Sequence, residues 1–442
     1  MNDFFYNIYY YLTSVFSDER LLVFVLIFFP FVIILELPFY TINIIYVVRG
    51  WLRLHYSIEL PSNYYPLVSI VVTAYNESKE ELEVTILSIL EQIYRGRIEL
   101  LLVIDNAAEN KLTLINAQKI SRVYDKIPNR KIKIIAKQSR GGHASSMNLG
   151  LKLAKGEVLF LLDADTSIDN QTVRKAVRHF ENPNVIAVSG GLRVRNFKSS
   201  LMTRMQAIEY IIGIQLGRFG LTELDVINTI SGAFGIFRRS FLLQIGGWLN
   251  GTAEDTDLML RIHAYTQRYP HYKVIHEPGA VGWTAVPVTI RKLLKQRLRW
   301  DGDLYYLYVR RHWRLFSPKL MGNIKMLFVT WYGLYYQIAL PFIILLYTII
   351  LFFEYNFAVV MAVSLLIYGY YLTFLLIMFL LFLLLVSERP KQDAAFFPWL
   401  FIMPFYQQIM RMSAAVFILN EIIFKGHKDT TMAPWWVIRK TK

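Results

Sequence analysis

Asp163 and Asp165 stand two residues apart where an apolar run ends, in LFLLDADTS (159–167). In an extended strand, residues i and i+2 point to one face, so the two carboxylates share a site. Like charges held that close repel, and a cation between them removes the cost. Mg²⁺ or Mn²⁺ holding a diphosphate is the natural occupant. The same pair could instead cap the following helix. A second acidic pair, Glu254 and Asp255 in GGWLNGTAEDTDLMLRIH (246–263), falls where a helix should begin. A carboxylate there can act as general base toward a hydroxyl, or it can simply interact with the helix dipole. Asp257 fits the second role.

Three more segments carry polar groups at the ends of apolar runs. VVTAYNES (71–78) offers Tyr75, Asn76 and Glu77, which could hold a flat base and a ribose. IDNAAEN (104–110) offers Asp105, an acceptor for the imide N–H of uracil. Both also read as ordinary strand-to-helix turns. SRGGHASSMNLG (139–150) sets two glycines and His143 before a helix, where backbone N–H groups could cradle phosphate. It could equally be a loop and a cap. It matches neither the P-loop nor the dinucleotide fingerprint, which weakens ATPase and dinucleotide readings. Finally, KQRLRW (295–300) places Gln296, Arg299 and Trp300 just before long membrane-like sequence.

The elements that must position these groups alternate along residues 61–286. Apolar runs at 67–74, 98–104, 131–136, 157–163, 185–193 and 227–237 read as strands. Amphipathic stretches at 79–92, 110–122, 144–154 and 170–181 read as helices between them. Strand–helix alternation implies an α/β domain with a mostly parallel sheet and ligands at the carboxyl ends of its strands.

Composition places that domain on a membrane. Of 442 residues, 55% are hydrophobic and 15% aromatic, which is far from a typical soluble enzyme. There are no cysteines, so disulfides, thiolate metal sites and cysteine nucleophiles are excluded. The net charge of +15 suits nucleic acid, an anionic membrane face or a phosphate-bearing substrate. Apolar spans beside clustered arginines favour the last two, so no nucleic-acid partner is expected. Residues 21–48 form an apolar run too long for a secretory signal, and Arg49 and Arg53 behind it place the next segment in the cytoplasm. An aromatic stretch, FFYNIYYYLTSVF, precedes the run and looks interfacial. Residues 288–314 are basic and amphipathic, which fits helices lying on the membrane surface.

Apolar stretches at 326–353, 357–386 and 398–424 each exceed the roughly 20 residues that cross a bilayer. One span before the soluble domain and three after it would leave the basic tail outside, against the positive-inside rule. Residues 326–338, rich in Tyr and Trp and ended by Pro341, are the expected re-entrant, interfacial or split piece. Glu36, Gln337, Gln407, Gln408, Arg411 and Glu421 interrupt apolar sequence, and Trp331, Tyr332, Tyr335, Tyr336 and Tyr371 offer flat rings. Two readings stay open: a passage for a sugar polymer, or helix–helix hydrogen bonds with an aromatic belt.

Taken in order, Y-N-E, the second strand-end Asp, D-x-D, S-G-A-F-G-I-F-R-R, E-D and Q-R-L-R-W resemble the family 2 glycosyltransferases. The likeness is to the membrane-embedded processive synthases of cellulose, hyaluronan, chitin and poly-N-acetylglucosamine, and it covers about residues 65–305. It implies a GT-A domain fused to an α-helical transmembrane region through interfacial amphipathic helices, working on a UDP-sugar. The expected division is an N-terminal segment and span over 1–56 and a cytoplasmic catalytic domain over 57–286. Interfacial helices over 287–322, transmembrane helices over 323–425 and a tail over 426–442 follow.

By that resemblance Tyr75, Asn76, Glu77 and Asp105 hold the nucleotide, with His143 and Asp163 beside it. Asp165, with Asp163, holds Mg²⁺ or Mn²⁺. Asp255 is the general base, next to Glu254. Ser231, Gly232, Ala233 and Phe234 shape the acceptor site, with Trp300 as its flat apolar face. Arg299 grips the diphosphate and Gln296 ties its helix to the nucleotide. The family commonly has Lys where this chain has His143, and a neutral imidazole supplies less charge.

The resemblance implies an inverting, processive polymerase in the plasma membrane, multi-pass, that exports its polysaccharide. A small membrane subunit is a possible partner. The run from NTISGAFGIFRR through VPVTIRKLLKQRLRW looks most like the poly-N-acetylglucosamine branch, so a poly-β-1,6-N-acetylglucosamine synthase is the first expectation. Hyaluronan, cellulose and chitin synthases are alternatives. Single-sugar transfer to a lipid phosphate is another, although such enzymes generally lack Q-x-x-R-W.

Overall fold

The computed structural model of the chain describes residues 36–55, 63–124, 127–249, 251 and 253–428, with Tyr6, Tyr10, Phe31 and Ile34 as isolated positions. Most of the aromatic N-terminal stretch, residues 21–30 of the first apolar run and the basic tail lie outside the described residues. Four strands, β1 (Val68–Ala74), β2 (Ile98–Ile104), β3 (Arg130–Ala136) and β4 (Val158–Asp163), run parallel in the order β3-β2-β1-β4. Every residue of β1 and β2 is buried. That is what helices on both faces of a parallel sheet require, and it is why these strands read as continuous apolar runs.

Beyond β4 the sheet changes direction. β5 (Ser167–Ile168), β6 (Val185–Val194), β7 (Phe234–Arg238) and β8 (Lys273–Thr284) complete eight strands in the order β4-β7-β6-β8-β5. β7 is antiparallel to both of its neighbours, and β6 and β8 are parallel. The mostly parallel α/β sheet is as expected, but two details differ. The expected strand at 227–237 is extended only from Phe234, because Phe234 N donates to Ser231 O at 3.1 Å and closes a turn. β8 was hidden by its Pro278: register jumps from Gly190↔Glu277 to Gly191↔Val281, and the proline, with no N–H, sits in that jump.

The sheet brings the chemistry to one edge. Thr73 pairs with Asp163 in register and Ala74 with Ile104, so Tyr75, Asp105 and Asp163 leave neighbouring strands together. After β1, Ser78 caps the Lys79–Leu90 helix in a capping box with Glu81. Asn76 turns the chain at φ 64°, a left-handed conformation that asparagine tolerates well.

Two helical runs, Asn323–Glu354 and Phe357–Val386, are 32 and 30 residues long and apolar enough to cross a bilayer. The first is unbroken, so residues 326–338 are its opening turns rather than a separate piece. The helix widens over Thr330–Ala339 ahead of Pro341, which accommodates a residue with no N–H to donate. The stretch at 398–424 is not one helix. A tighter turn, Ala394–Phe401, holds Pro398, and the helix proper is Met403–Phe424.

Inside this bundle the isolated ionisable groups find each other. Arg411 donates to Glu36 Oε1 at 2.9 Å, Tyr371 Oη at 2.9 Å and Tyr336 Oη at 2.7 Å. For these four residues the helix–helix reading describes the contacts present. A second tie joins bundle and sheet: Arg193 on β6 forks onto Asp393 at 2.7 and 3.0 Å, both side chains at most 9% exposed. Breaking a buried pair leaves one charge uncompensated, so Asp393→Ala should cost about 3–5 kcal/mol. Thermal unfolding in detergent reads this as a clear drop in midpoint. An Arg193→Met/Asp393→Leu double variant should recover most of the loss, and an unshifted midpoint in Asp393→Ala would show the pair to be dispensable.

Candidate active site

A cavity of about 210 Å³ opens at the carboxyl ends of β1, β2 and β4. Its wall includes Tyr75, Glu77, Asp105, Arg140, His143, Asp163 and Asp165. Tyr75 is 44% exposed, and the Arg140 guanidinium lies 5.1 Å from its ring centroid. The pair makes a flat cationic face of the kind that bases stack on. Asp105 has a structural task as well. Its carboxylate accepts from Lys137 Nζ at 2.7 Å, Gly141 N at 3.0 Å and Gly142 N at 2.9 Å. It therefore pins the two-glycine loop that starts the His143–Leu153 helix.

His143 joins the two acidic pairs. Its Nε2 lies 2.9 Å from Asp163 Oδ1 and its Nδ1 2.6 Å from Glu254 Oε1. Two ionised carboxylates are acceptors only, so both ring nitrogens must donate, and only imidazolium can do that. Burial pulls the other way, but Asp163 and Glu254 outweigh it and hold His143 well above its ordinary value. The two contacts and the raised value favour a protonated ring over the neutral imidazole read from the sequence, which would put positive charge where the family commonly has lysine.

The carboxylates around it are under strain of like charge. Burial first, and then Asp163, push Asp165 up to about 6. Burial, Asp165, Glu81 and Asp163 push Glu77 up to about 7. Among the described residues no group of three or more Asp, Glu or His is placed as a complete metal site. The donor set still fits a hard divalent cation in part. Asp163 and Asp165 supply anionic oxygens whose mutual repulsion a cation would relieve, and phosphate oxygens and water are suited to complete the shell.

The second acidic pair opens the Glu254–Arg268 helix, and Ala253 before it is left-handed at φ 50°. Burial, then Glu254, raise Asp255, while the Thr256 N–H at 2.7 Å, Arg218 and Gly232 oppose them. A raised carboxylate is a better proton acceptor. A Cβ on Gly232 would lie 3.7 Å from Glu254 Oε1 and 4.0 Å from Asp255 Cβ, so the Ser231–Ala233 turn abuts the pair. Phe234 does not belong to that surface. It is fully buried, and a Cβ at Gly190 would come within 2.0 Å of its ring, so it packs in the core beneath the turn.

The Q-x-x-R-W residues lie on the Ile290–Tyr305 helix, and Asn76, Gln296, Arg299 and Trp300 are not in the cavity wall. Gln296 Oε1 is buried with no hydrogen-bond partner among the described residues. Trp300 is 38% exposed, with the Arg297 guanidinium 4.7 Å from its ring centroid. Arg297 donates to Glu209 at 2.7 Å, which anchors this helix on the Leu201–Tyr210 helix. Tyr210 feels both Arg297 and Asp165, so the two regions are electrostatic neighbours.

Sequence comparison places this arrangement. The profile described as Glycosyl transferase family group 2 matches residues 158–409, more than half of the chain, and Glycosyl transferase family 2 matches residues 69–246. The chain belongs to glycosyl transferase family group 2. It is 31% identical over 271 residues to the poly-β-1,6-N-acetyl-D-glucosamine synthase of Staphylococcus epidermidis, covering 60% of this chain and 62% of that protein. It is 31% identical over 236 residues to the synthase of that name from Staphylococcus aureus strain COL, covering 53% of each. The matches thus span about half to three-fifths of those curated relatives. Among solved structures, the mannosyltransferase PcManGT from Pyrobaculum calidifontis, in complex with GDP-Man and Mn²⁺, aligns with a TM-score of 0.55 at 21% identity. That alignment covers 88% of this chain and 97% of the other, and it supports the GT-A-like fold.

Within this family frame, Arg218 is a residue that motif reading missed. It is 5% exposed, donates to Ser189 Oγ at 3.1 Å, and faces Asp255; burial pushes it down to about 10. The signal was available: a lone arginine in the apolar run IGIQLGRFGL must be buried beside a partner.

Proposed function

We propose that this family group 2 glycosyl transferase is a processive, inverting β-glycosyltransferase using a UDP-sugar, with poly-β-1,6-N-acetylglucosamine as its first expected product. The observation that carries the reading is His143, which joins the D-x-D aspartate to the E-D pair, so that the cavity and the acidic pair carrying the proposed base adjoin in one site. The two staphylococcal synthases favour that product, and the export of the polymer rests on the same likeness and on the two bilayer-length helices.

Tyr75, Arg140 and Asp105 hold the nucleobase end, and Glu77 the ribose. Asp163 and Asp165 hold the divalent cation, Mg²⁺ or Mn²⁺, which supplies charge neutralisation at the diphosphate. Asp255 takes the proton from an acceptor hydroxyl as that oxygen bonds to the anomeric carbon. The bond from that carbon to the diphosphate oxygen breaks, and UDP leaves with its electron pair. One displacement with no enzyme nucleophile inverts the anomeric centre, so an α-linked donor gives a β-linked product. Arg299 grips the leaving diphosphate and the His143 imidazolium offsets nearby negative charge. Gln296 ties the Ile290–Tyr305 helix to the nucleotide, Trp300 faces the acceptor sugar, and Ser231–Ala233 shape the acceptor site. Cytoplasmic catalysis at the plasma membrane and a small partner subunit belong to the same reading.

The metal role has its own test. Chelation with EDTA should remove UDP binding measured by calorimetry, and Mn²⁺ or Mg²⁺ should restore it. UDP affinity that is unchanged by EDTA would remove the cation from the donor site.

A further inference from the structure

Asp257, two residues beyond Asp255, is the most enclosed carboxylate of its helix, with a side chain 1% exposed. Its Oδ2 accepts from Arg261 Nε at 2.9 Å. Its Oδ1 meets His312 Nε2 at 2.7 Å and Arg311 Nε at 3.3 Å. A helix-dipole role needs none of these partners. Against the effect of burial, His312, Arg261 and Arg311 hold this carboxyl below its ordinary value.

The partners reach in two directions. Arg261 also donates to Ile245 O at 3.0 Å and Gly247 O at 2.7 Å, clamping the loop that leads into A-E-D. Arg311 and His312 close the segment that follows the Q-x-x-R-W helix, and His312 N donates back to Leu307 O at 2.9 Å. Ala253, left-handed at φ 50°, starts the helix that carries Asp255 and Asp257. That conformation is strained for a non-glycine residue and persists only where its surroundings fix it.

We propose that Asp257 is a positioning residue, which fixes the Asp255 carboxylate relative to the Q-x-x-R-W segment through Arg261 on one side and Arg311 and His312 on the other. The proposal rests on the functional reading above. Asp257→Asn and His312→Gln, singly and together, are tested in the full chain in lipid with UDP-N-acetylglucosamine. Sugar transferred to glycan is separated from sugar released to water. Each single variant should lower kcat for transfer about 10-fold or more, with donor KM within about twofold and hydrolysis less affected. The double variant should be no worse than the worse single, because the two residues act as one unit. Transfer and hydrolysis falling in equal proportion, or losses that add, would overturn the proposal.

Wild-type protein that releases no UDP would instead contradict the functional reading. Amide exchange, which needs no turnover, then still decides the role of Asp257. Faster exchange at residues 253–256 in Asp257→Asn, with the rest of the Glu254–Arg268 helix unchanged, supports it, and unchanged exchange refutes it.

Discussion

Asp255→Asn should nearly abolish sugar transfer while leaving UDP binding largely intact. The carboxylate is partly buried beside Glu254 and near Arg218, and loss of solvent raises its proton affinity. An amide keeps the shape and the contact with the Thr256 N–H but cannot take a proton. General-base catalysis is worth about 10²–10⁴-fold, so kcat should fall by roughly 10³-fold. The cavity that would hold UDP is walled by other residues, so UDP affinity by calorimetry should stay within about twofold, as expected for a group that acts only in the transition state. Turnover near the wild-type rate in this variant would remove Asp255 from the role of base.

The second large effect belongs to His143. Its imidazolium is held between Asp163 Oδ1 at 2.9 Å and Glu254 Oε1 at 2.6 Å. His143→Gln removes a partly buried cation and leaves two carboxylates facing each other without it. A loss of about 10²-fold in kcat/KM is expected, and His143→Lys should recover much of it by restoring the charge. The pH dependence has a definite sign. The folded value is raised above the ordinary histidine value near 6.5, so the charge and the stability it contributes are fully present below about pH 6.5. They persist through neutral pH and are lost only as pH rises through the raised value. The wild-type rate should therefore show no decline centred near pH 6.5 as pH rises, whereas a fall toward acid in that range belongs to Asp165 and Glu77. A rate that drops as pH rises through about 6.5, or a His143→Gln variant with normal kcat/KM, contradicts the charged bridge.

Much of this site was legible because its signals are local. Asp163 and Asp165 close an apolar strand, and spacing alone puts them on one face. Tyr75 and Asp105 mark strand ends in the same way, and the parallel register of β1, β2 and β4 then gathers them. What the sequence hid is what depends on distant partners. His143 and Glu254 are 111 positions apart, and no motif announces that they touch. The charge of His143 follows from that contact. Phe234 sits in a motif associated with acceptors, yet its ring fills the space that Gly190 leaves in the core. Asp257 looked like an ordinary first-turn acid because Arg311 and His312 come from a segment more than fifty residues later. Pro341 suggested a broken membrane segment, but the backbone answered with a widened turn and kept the helix intact.

The central claim is a polymerase that draws one sugar from one nucleotide donor. Purified full chain in lipid, with Mg²⁺ or Mn²⁺, is given a panel of UDP-sugars, and UDP release and product length are measured together. The account predicts UDP release with one donor, UDP-N-acetylglucosamine, and a β-linked product of high molecular weight. Release with only mono- or disaccharide products, or no release with any donor, would contradict it.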